Sequence, residues 1–127
     1  MRMISQVVEY DSVWMHCCAR IRADNPLLVD SCFPVYAGIE LLAQACGLLF
    51  GARRQEADCT PVPGAIVQIK SFQLEGASIP VGTTLQVHGH FEGGSQQAAL
   101  FSGEVQLDGT RILSGSLMLA LLDGGGI

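Results

Sequence analysis

Residues 36–53 read Y-A-G-I-E-L-L-A-Q-A-C-G-L-L-F-G-A-R, a run of small and aliphatic residues without proline. This composition predicts a helix over about residues 35–53, roughly 27 Å long. Its apolar residues occur all around the helix axis, so other elements must enclose it. Glu40 and Gln44 interrupt the run, and because they lie one turn apart they share one face of the helix.

Strand patterns stand on both sides of this helix. Residues 13–22 alternate between apolar and polar side chains, which predicts a half-buried strand. Similar strands are predicted at 3–9, 65–74, 84–91, 99–107 and 111–121. Asp108-Gly109 is a hairpin signal, 79–82 is predicted as a turn, and 25–34 as an irregular loop. Antiparallel strands with one long helix after the second predict an α+β protein of the hotdog fold, a curved sheet wrapped around that helix.

The composition bounds the function. The chain has 127 residues and fits a single domain, 1–127, with a flexible tail at 123–127. Apolar residues make up 49% and charged residues 15%, which excludes intrinsic disorder and favours a surface partly covered by a second subunit. A net charge of −5 argues against a nucleic-acid partner.

The cellular compartment is predicted from absent signals. The first residues lack the apolar run of a secretory signal. The most apolar stretch, 41–52, is broken by Gln44 and is predicted to be too short to span a membrane. The five cysteines are odd in number and contain no C-x-x-C, so neither a disulfide framework nor a zinc site is expected. We therefore predict a reduced, cytoplasmic protein.

Residues 33–45, F-P-V-Y-A-G-I-E-L-L-A-Q-A, resemble the central helix of the β-hydroxyacyl-[acyl carrier protein] dehydratases. In that family a Pro-Gly-Val step leads into a helix with a Glu followed by Ala-Gln, and Pro34, Glu40, Ala43 and Gln44 match this register. Weaker similarities occur at 64–67, 79–82 and 107–109. The resemblance looks closest to the dehydratase-like proteins of aryl polyene and related acyl-chain pathways.

The resemblance implies a hotdog homodimer, or a heterodimer with another hotdog subunit, with its active site at the interface. The substrate would be an acyl thioester on the phosphopantetheine of acyl carrier protein or on coenzyme A, with no other cofactor. A lone carboxyl group on an apolar helix is costly unless it is hydrogen-bonded or neutral, and a neutral carboxyl suits a general acid. Glu40 is therefore the candidate acid, and Gln44 is placed to bind Glu40 or a ligand amide.

Further residues receive roles near the helix ends. Pro34, Val35 and Gly38 are predicted to bind substrate, with the amides of Val35 and Gly38 near a thioester oxygen or serving only to start the helix. Arg53 and Arg54 are predicted either to cap the helix dipole or to dock an acidic carrier protein.

The sequence also departs from the family pattern. The loop 31–34 reads S-C-F-P and lacks the family histidine, and Val35 replaces the glycine whose amide polarises the thioester carbonyl. Related proteins carry Pro-His before the first strand, and we expect that segment to be missing here or lost to a misplaced start codon. Three hypotheses stay open: a dehydratase with an unidentified base, a weakened or non-catalytic partner subunit, and a thioesterase in which Glu40 activates water.

Four other side chains are weaker candidates. His88 and His90, with Glu92, share one face of a predicted strand, a pattern that fits a solvated surface better than a metal site. We therefore predict no metal. His16 is a substitute base only if its face meets the helix, and Cys32 is either a reactive thiol or a small apolar residue.

Overall fold

The computed structural model describes residues 3–57, 65–76 and 78–121. Cys59 and the predicted tail at 123–127 lie outside these ranges. The helical elements are a short 3-10 turn, Val35–Ala37, followed directly by α1, Gly38–Glu56. The strands are β1 (Gln6–Tyr10), β2 (Trp14–Arg20), β3 (Cys32–Pro34), β4 (Ala65–Leu74), β5 (Ser78–Pro80), β6 (Thr84–Gly94), β7 (Ala98–Leu107) and β8 (Thr110–Leu121).

Six strands form one antiparallel sheet in the order β1-β2-β6-β7-β8-β4. Helix α1 packs on one face of this sheet, against β2, β6, β7 and β8. We call that face the inner face and the opposite one the outer face. One long helix on a curved antiparallel sheet is the predicted hotdog architecture, and the prediction is confirmed.

The alternation in β2 separates the two faces as predicted. Met15, Cys17 and Ala19 are buried on the inner face, whereas His16 and Cys18 between them are half-buried on the outer face. The inner face and the packed side of α1 together form one hydrophobic core. Burial of these apolar side chains is the main free-energy gain of folding.

Three glycines stand in register on neighbouring strands, and one of them lies against the helix backbone. Gly89, Gly103 and Gly115 stand opposite one another on β6, β7 and β8. A Cβ atom at Gly89 would lie 3.3 Å from the Cys46 Sγ and 3.7 Å from the Cys46 backbone nitrogen. A Cβ at Gly103 would overlap the Leu42 side chain and the His88 carbonyl oxygen. The backbone of α1 therefore approaches the sheet closely at Gly89.

Two tight turns have left-handed backbone at both central residues. Asp108 and Gly109 have φ values of 49° and 80° and join β7 to β8, so the predicted Asp-Gly hairpin is confirmed. Asp30 and Ser31, with φ values of 51° and 64°, form a second such turn that the sequence analysis missed. Val29 and Cys32 exchange two backbone hydrogen bonds of 2.8 and 3.0 Å across it. This turn orders the chain just before the start of the helix.

Three local predictions need correction. The predicted loop at 25–34 contains β3, and the predicted turn at 79–82 begins inside β5, which pairs with β3. Strands of three residues are too short to show a period, and Pro34 and Pro80 are tolerated because these strands form a separate two-stranded sheet. The helix also runs three residues beyond its predicted end.

The apolar stretch was predicted to be too short to span a membrane, but the observed helix is longer. By length and composition Val35–Glu56 could cross a bilayer, since its mean hydropathy is 1.5. Half of that stretch is buried within the domain, and the core helix of a soluble protein passes the same test. Its packing on the sheet identifies it as a core helix.

Candidate functional site

Among the described residues no element covers one side of α1, contrary to the prediction that other elements enclose the whole helix. Tyr36, Glu40, Gly47, Leu48 and Gly51 are exposed on this side, and the half-buried Ala43 and Gln44 fill the gap between Glu40 and Gly47. The sheet packs against the opposite side. With Ala43 and Gln44 included, these positions recur every three or four residues and form one continuous helix face.

A second apolar surface lies on the inner face of β4. Ile69 is 54% exposed, and Val67 and Leu74 are also exposed. These residues stand opposite the buried Leu117, Leu119 and Leu113 of β8, so they point to the same side of the sheet as α1. Within the described part of the chain, β4 pairs only with β8 and forms an edge of the sheet. We call the open side of α1 and the inner face of β4 the open surface.

Glu40 stands within this open surface. An enclosed helix would bury the carboxyl group of Glu40, but among the described residues the Glu40 side chain is exposed. Gln44 is half-buried one turn later, and its Nε2 donates to the Glu40 Oε1 at 3.4 Å, as its spacing predicts.

Gln44 also holds the amino-terminal segment. Its Oε1 accepts hydrogen bonds from the backbone N–H groups of Met3, at 2.7 Å, and Ile4, at 3.2 Å. The side chains of Met3 and Ile4 are buried, and the Asn25 Nδ2 contacts the Met3 Sδ at 3.3 Å. One amide side chain therefore joins the amino-terminal segment to the candidate acid, a link that the sequence analysis did not foresee.

The start of the helix is tightly packed. Pro34, Val35 and Gly38 are all buried. The N–H of Gly38 is used inside the 3-10 turn, where it donates to the carbonyls of Val35 and Tyr36, and a Cβ at Gly38 would lie 3.2 Å from the Leu113 Cδ1. These contacts give the segment a role in starting the helix. Its predicted role in binding substrate stays a prediction.

Both arginines at the end of α1 bind within the chain. Arg53 donates to the carbonyl oxygen of Ser12, and its guanidinium stacks over the Phe91 ring at 3.5 Å. Arg54 is buried and donates to the carbonyl oxygen of Gln96. These bonds tie the helix end to two hairpins. Docking of a carrier by this pair stays a prediction, and it would compete with these intramolecular bonds.

All three histidines lie on the outer face, away from α1. The His16 and His88 rings stack with centroids 4.4 Å apart, and the His16 Nε2 lies 2.6 Å from the Gln86 Oε1. Burial and the neighbouring His16 lower the pKa of His88, while Glu104 opposes the shift. His90 Nδ1 lies 3.1 Å from the Glu92 Oε1. His16 is thus on the wrong face to act as a base for Glu40.

The other reactive side chains are placed as follows. Among the described residues no three His, Cys, Asp or Glu side chains are arranged to hold a metal ion. Cys32 is half-buried in β3, directly before Phe33 and Pro34. Burial raises the pKa of the Cys17 thiol to about 11 and that of the Cys46 thiol to about 12, so both are unreactive core residues.

The sequence profile of the ApeP-like family, described as ApeP dehydratase, matches residues 1–121. The chain belongs to the ApeP-like dehydratase family. The match spans nearly the whole chain and includes Glu40, Gln44 and the open surface. It confirms the resemblance drawn from residues 33–45. No curated protein matches the sequence.

Solved structures share the fold of this ApeP-like chain. A chain of the dehydratase heterocomplex ApeI:P from Xenorhabdus doucetiae matches with a TM-score of 0.88 and 20% identity, over 98% of this chain and 85% of that one. A hypothetical thioesterase with coenzyme A from Streptococcus pneumoniae matches with a TM-score of 0.68 and 8% identity, over 91% and 84%. The uncharacterized protein PH1136 from Pyrococcus horikoshii matches with a TM-score of 0.68 and 10% identity, over 95% and 85%.

Proposed function

We propose that this ApeP-like chain is one subunit of a hotdog dehydratase that removes water from 3-hydroxyacyl thioesters, with Glu40 as the general acid. One observation carries the proposal: Glu40 places a carboxylate on the open side of α1, and no residue that the structure describes covers it. A second hotdog subunit placed over the open surface would bury Glu40 and the apolar residues around it. Burial would favour the neutral carboxyl that a general acid needs.

The edge strand supports the same partner. β4 presents its inner-face side chains Val67, Ile69 and Leu74 and a free backbone edge within the described residues. An exposed apolar edge strand is an aggregation hazard unless another strand pairs with it. A second hotdog subunit could pair one of its strands with β4 and cover the open side of α1 at the same time.

The chemistry follows from one acid and one base. The base removes the proton from the carbon next to the thioester carbonyl, and the electron pair left behind forms the carbon–carbon double bond. Glu40, protonated, gives its proton to the hydroxyl group, which leaves as water. Gln44 holds the Glu40 carboxyl through its Nε2 while its own Oε1 is fixed by Met3. Gln44 is thus a positioning residue for the acid.

The position of the base argues for a partner that differs from this chain. His16, His88 and His90 all lie on the outer face. In a second copy of this chain the histidines would also lie on the outer face, away from α1. We therefore assign the base to a different hotdog subunit. The similarity to a chain of a dehydratase heterocomplex supports this assignment. Two alternatives are an active homodimer and a thioesterase in which Glu40 activates water. The experiment described below distinguishes both from the proposed dehydratase.

The substrate is proposed to be carried as a thioester on the phosphopantetheine of an acyl carrier protein or on coenzyme A, with no metal or further cofactor. The reaction would serve an acyl-chain pathway, such as that of fatty acids or aryl polyenes. The unreactive, unpaired thiols of Cys17 and Cys46 suit a cytoplasmic setting.

The test compares the chain alone with the chain co-purified with its hotdog partner. We expect enoyl thioester to form from 3-hydroxyacyl thioester only with the complex. Glu40→Gln in the complex should lower turnover at least about 100-fold, with an unchanged unfolding temperature. Glu56→Gln removes an exposed carboxylate from the same helix and is the matched control. Full turnover by the Glu40 variant, or release of free thiol from saturated acyl thioesters in place of dehydration, contradicts the proposal.

A further inference from the structure

A polar cavity of about 370 Å³ lies beside the amino-terminal segment. Residues 3–5 form one wall, and Arg20, Arg22, Asp24 and Asn25 form the other. The cavity is separate from the helix end that holds Arg53 and Arg54. It contains two of the chain's seven positive charges although the chain as a whole carries −5. A local positive site is what an anionic ligand needs to approach an acidic protein.

Arg20 is held in place but leaves its charge available. Its backbone N–H donates to the Ser5 Oγ at 2.9 Å, which fixes the residue at the end of β2. Among the described residues its guanidinium makes no hydrogen bond or ion pair, and the side chain is exposed. A planar guanidinium with free donors matches the oxygens of a phosphate group.

Arg22 forms an exposed ion pair with Asp24 that a ligand could replace. Its Nε and Nη2 lie 3.1 and 3.2 Å from the two carboxylate oxygens of Asp24. The two side chains are 72% and 70% exposed, and exposed ion pairs contribute little to stability. Arg22 and Asp24 both line the cavity, so a phosphate can recruit the Arg22 guanidinium there without a large loss of stability.

The cavity is connected to the candidate acid through Met3 and Gln44. Met3 lines the cavity, and its backbone N–H donates to the Gln44 Oε1. Gln44 in turn binds Glu40. A ligand seated in the cavity therefore lies along the amino-terminal segment that leads to the acid.

We propose that this cavity is a phosphate site, with Arg20 as its main ligand and Arg22 as the second. The proposal rests on the function proposed above, in which the substrate hangs from a phosphopantetheine arm. The site would bind the phosphate at the far end of that arm and so direct the thioester along residues 3–5 toward Glu40. Coenzyme A and the carrier protein share this phosphate chemistry.

The first experiment measures binding without catalysis. Titration calorimetry on the purified complex compares phosphopantetheine with pantetheine, which differ only by the phosphate. We expect phosphopantetheine to bind about tenfold or more tightly, and Arg20→Gln to remove that advantage while leaving pantetheine unchanged. Arg111→Gln, an exposed arginine on β8, is the matched control and should retain the advantage. Equal binding of the two compounds by the unmodified protein overturns the proposal.

The second experiment separates this proposal from the proposed function. Dehydration is measured with 3-hydroxyacyl thioesters of carrier protein, coenzyme A and N-acetylcysteamine, of which the last has no phosphate. Arg20→Gln should raise the KM about tenfold for the carrier-protein substrate, for the coenzyme A substrate, or for both. The substrate whose KM rises identifies the molecule whose phosphate the site binds. The N-acetylcysteamine substrate should be unaffected. An equal rise for all three overturns the phosphate site, whereas no turnover of any substrate by the unmodified complex overturns the proposed function and leaves the binding result to stand.

Discussion

The two sides of α1 differ in composition and in surroundings. Leu41, Leu42 and Leu49 are fully buried on the packed side, whereas Leu48 and Gly47 face outward. The packed side forms the core with the sheet. The open side combines glycines and Leu48 with the carboxylate of Glu40. One side of the helix therefore builds the domain, and the other stays accessible in the single chain.

Neighbouring leucines on α1 provide the largest test of this difference. Leu49 is 0% exposed and Leu48 is 38% exposed. Leu49→Ala should lower the free energy of unfolding of the isolated chain by about 2–5 kcal/mol, because it removes buried methyl groups and leaves a cavity. Urea unfolding followed by circular dichroism measures the change.

Leu48→Ala is the control for that measurement. It should change the unfolding free energy by less than about 0.5 kcal/mol in the isolated chain, yet weaken association with the partner. Equal destabilisation by the two substitutions would show that both sides of α1 are packed within one chain.

Thiol reactivity tests whether the packed side is closed to reagents. The pKa of Cys46 is raised to about 12, chiefly by burial, so the folded protein holds almost no thiolate there at pH 8. Cys18 and Cys32 are half-buried and should be alkylated by iodoacetamide at least about tenfold faster. Peptide mass spectrometry after brief labelling gives the order of reaction, and labelling in denaturant supplies the control. Labelling of Cys46 as fast as Cys18 in the folded protein would contradict the packing described for α1.

A glycine on the open side gives a smaller, opposite effect. A Cβ at Gly47 would meet no atom within 4 Å. Gly47→Ala should therefore stabilise the isolated chain by about 1 kcal/mol, the difference in helix propensity between the two residues. Gly38→Ala is the comparison, since its Cβ would lie 3.2 Å from the Leu113 side chain and should give no such gain. Thermal unfolding of both variants decides the point, and a loss of stability in Gly47→Ala would mean that this side is covered.

The smallest expected effect is on the outer face, where His88 should make the unfolding free energy depend on pH. His88 has a pKa below its ordinary value of 6.5 because of burial and the stacked His16, with Glu104 opposing. A lowered folded-state pKa contributes stability above about pH 6.5 that is lost as the pH falls through the folded-state pKa. The unfolding free energy should therefore decline on acidification below pH 6.5, and less steeply in His88→Gln. An unchanged slope in that variant would assign the decline to other groups.

The sequence predicts those parts of the fold that have a repeating local pattern. The period of two in β2 separates Met15 and Cys17 from His16 and Cys18 as observed. Asp108-Gly109 identifies its hairpin because both residues accept left-handed backbone. The turn at Asp30 and Ser31 has neither glycine nor asparagine, and the strand after it has three residues, so neither shows a pattern.

The candidate site was predictable where it is local. Glu40 and Gln44 lie one turn apart, and their hydrogen bond follows from helix geometry. The bond from Met3 to Gln44 joins residues 41 positions apart, which no local pattern reports. The exposure of Glu40 could not be predicted either, because the helix composition alone does not tell which of its sides packs on the sheet.

Gly89 and Gly103 restrict where the substrate of the proposed dehydratase could extend. At Gly89 the backbone of α1 comes within 4 Å of the position a side chain would take, and at Gly103 even a methyl group would overlap Leu42. An acyl chain would find no room between helix and sheet at these two positions. Under the proposed function it would run along the open side of α1, past Gly47 and Gly51. The acyl length that fits would then depend on the residues of the second subunit, and exchanging that subunit would change it.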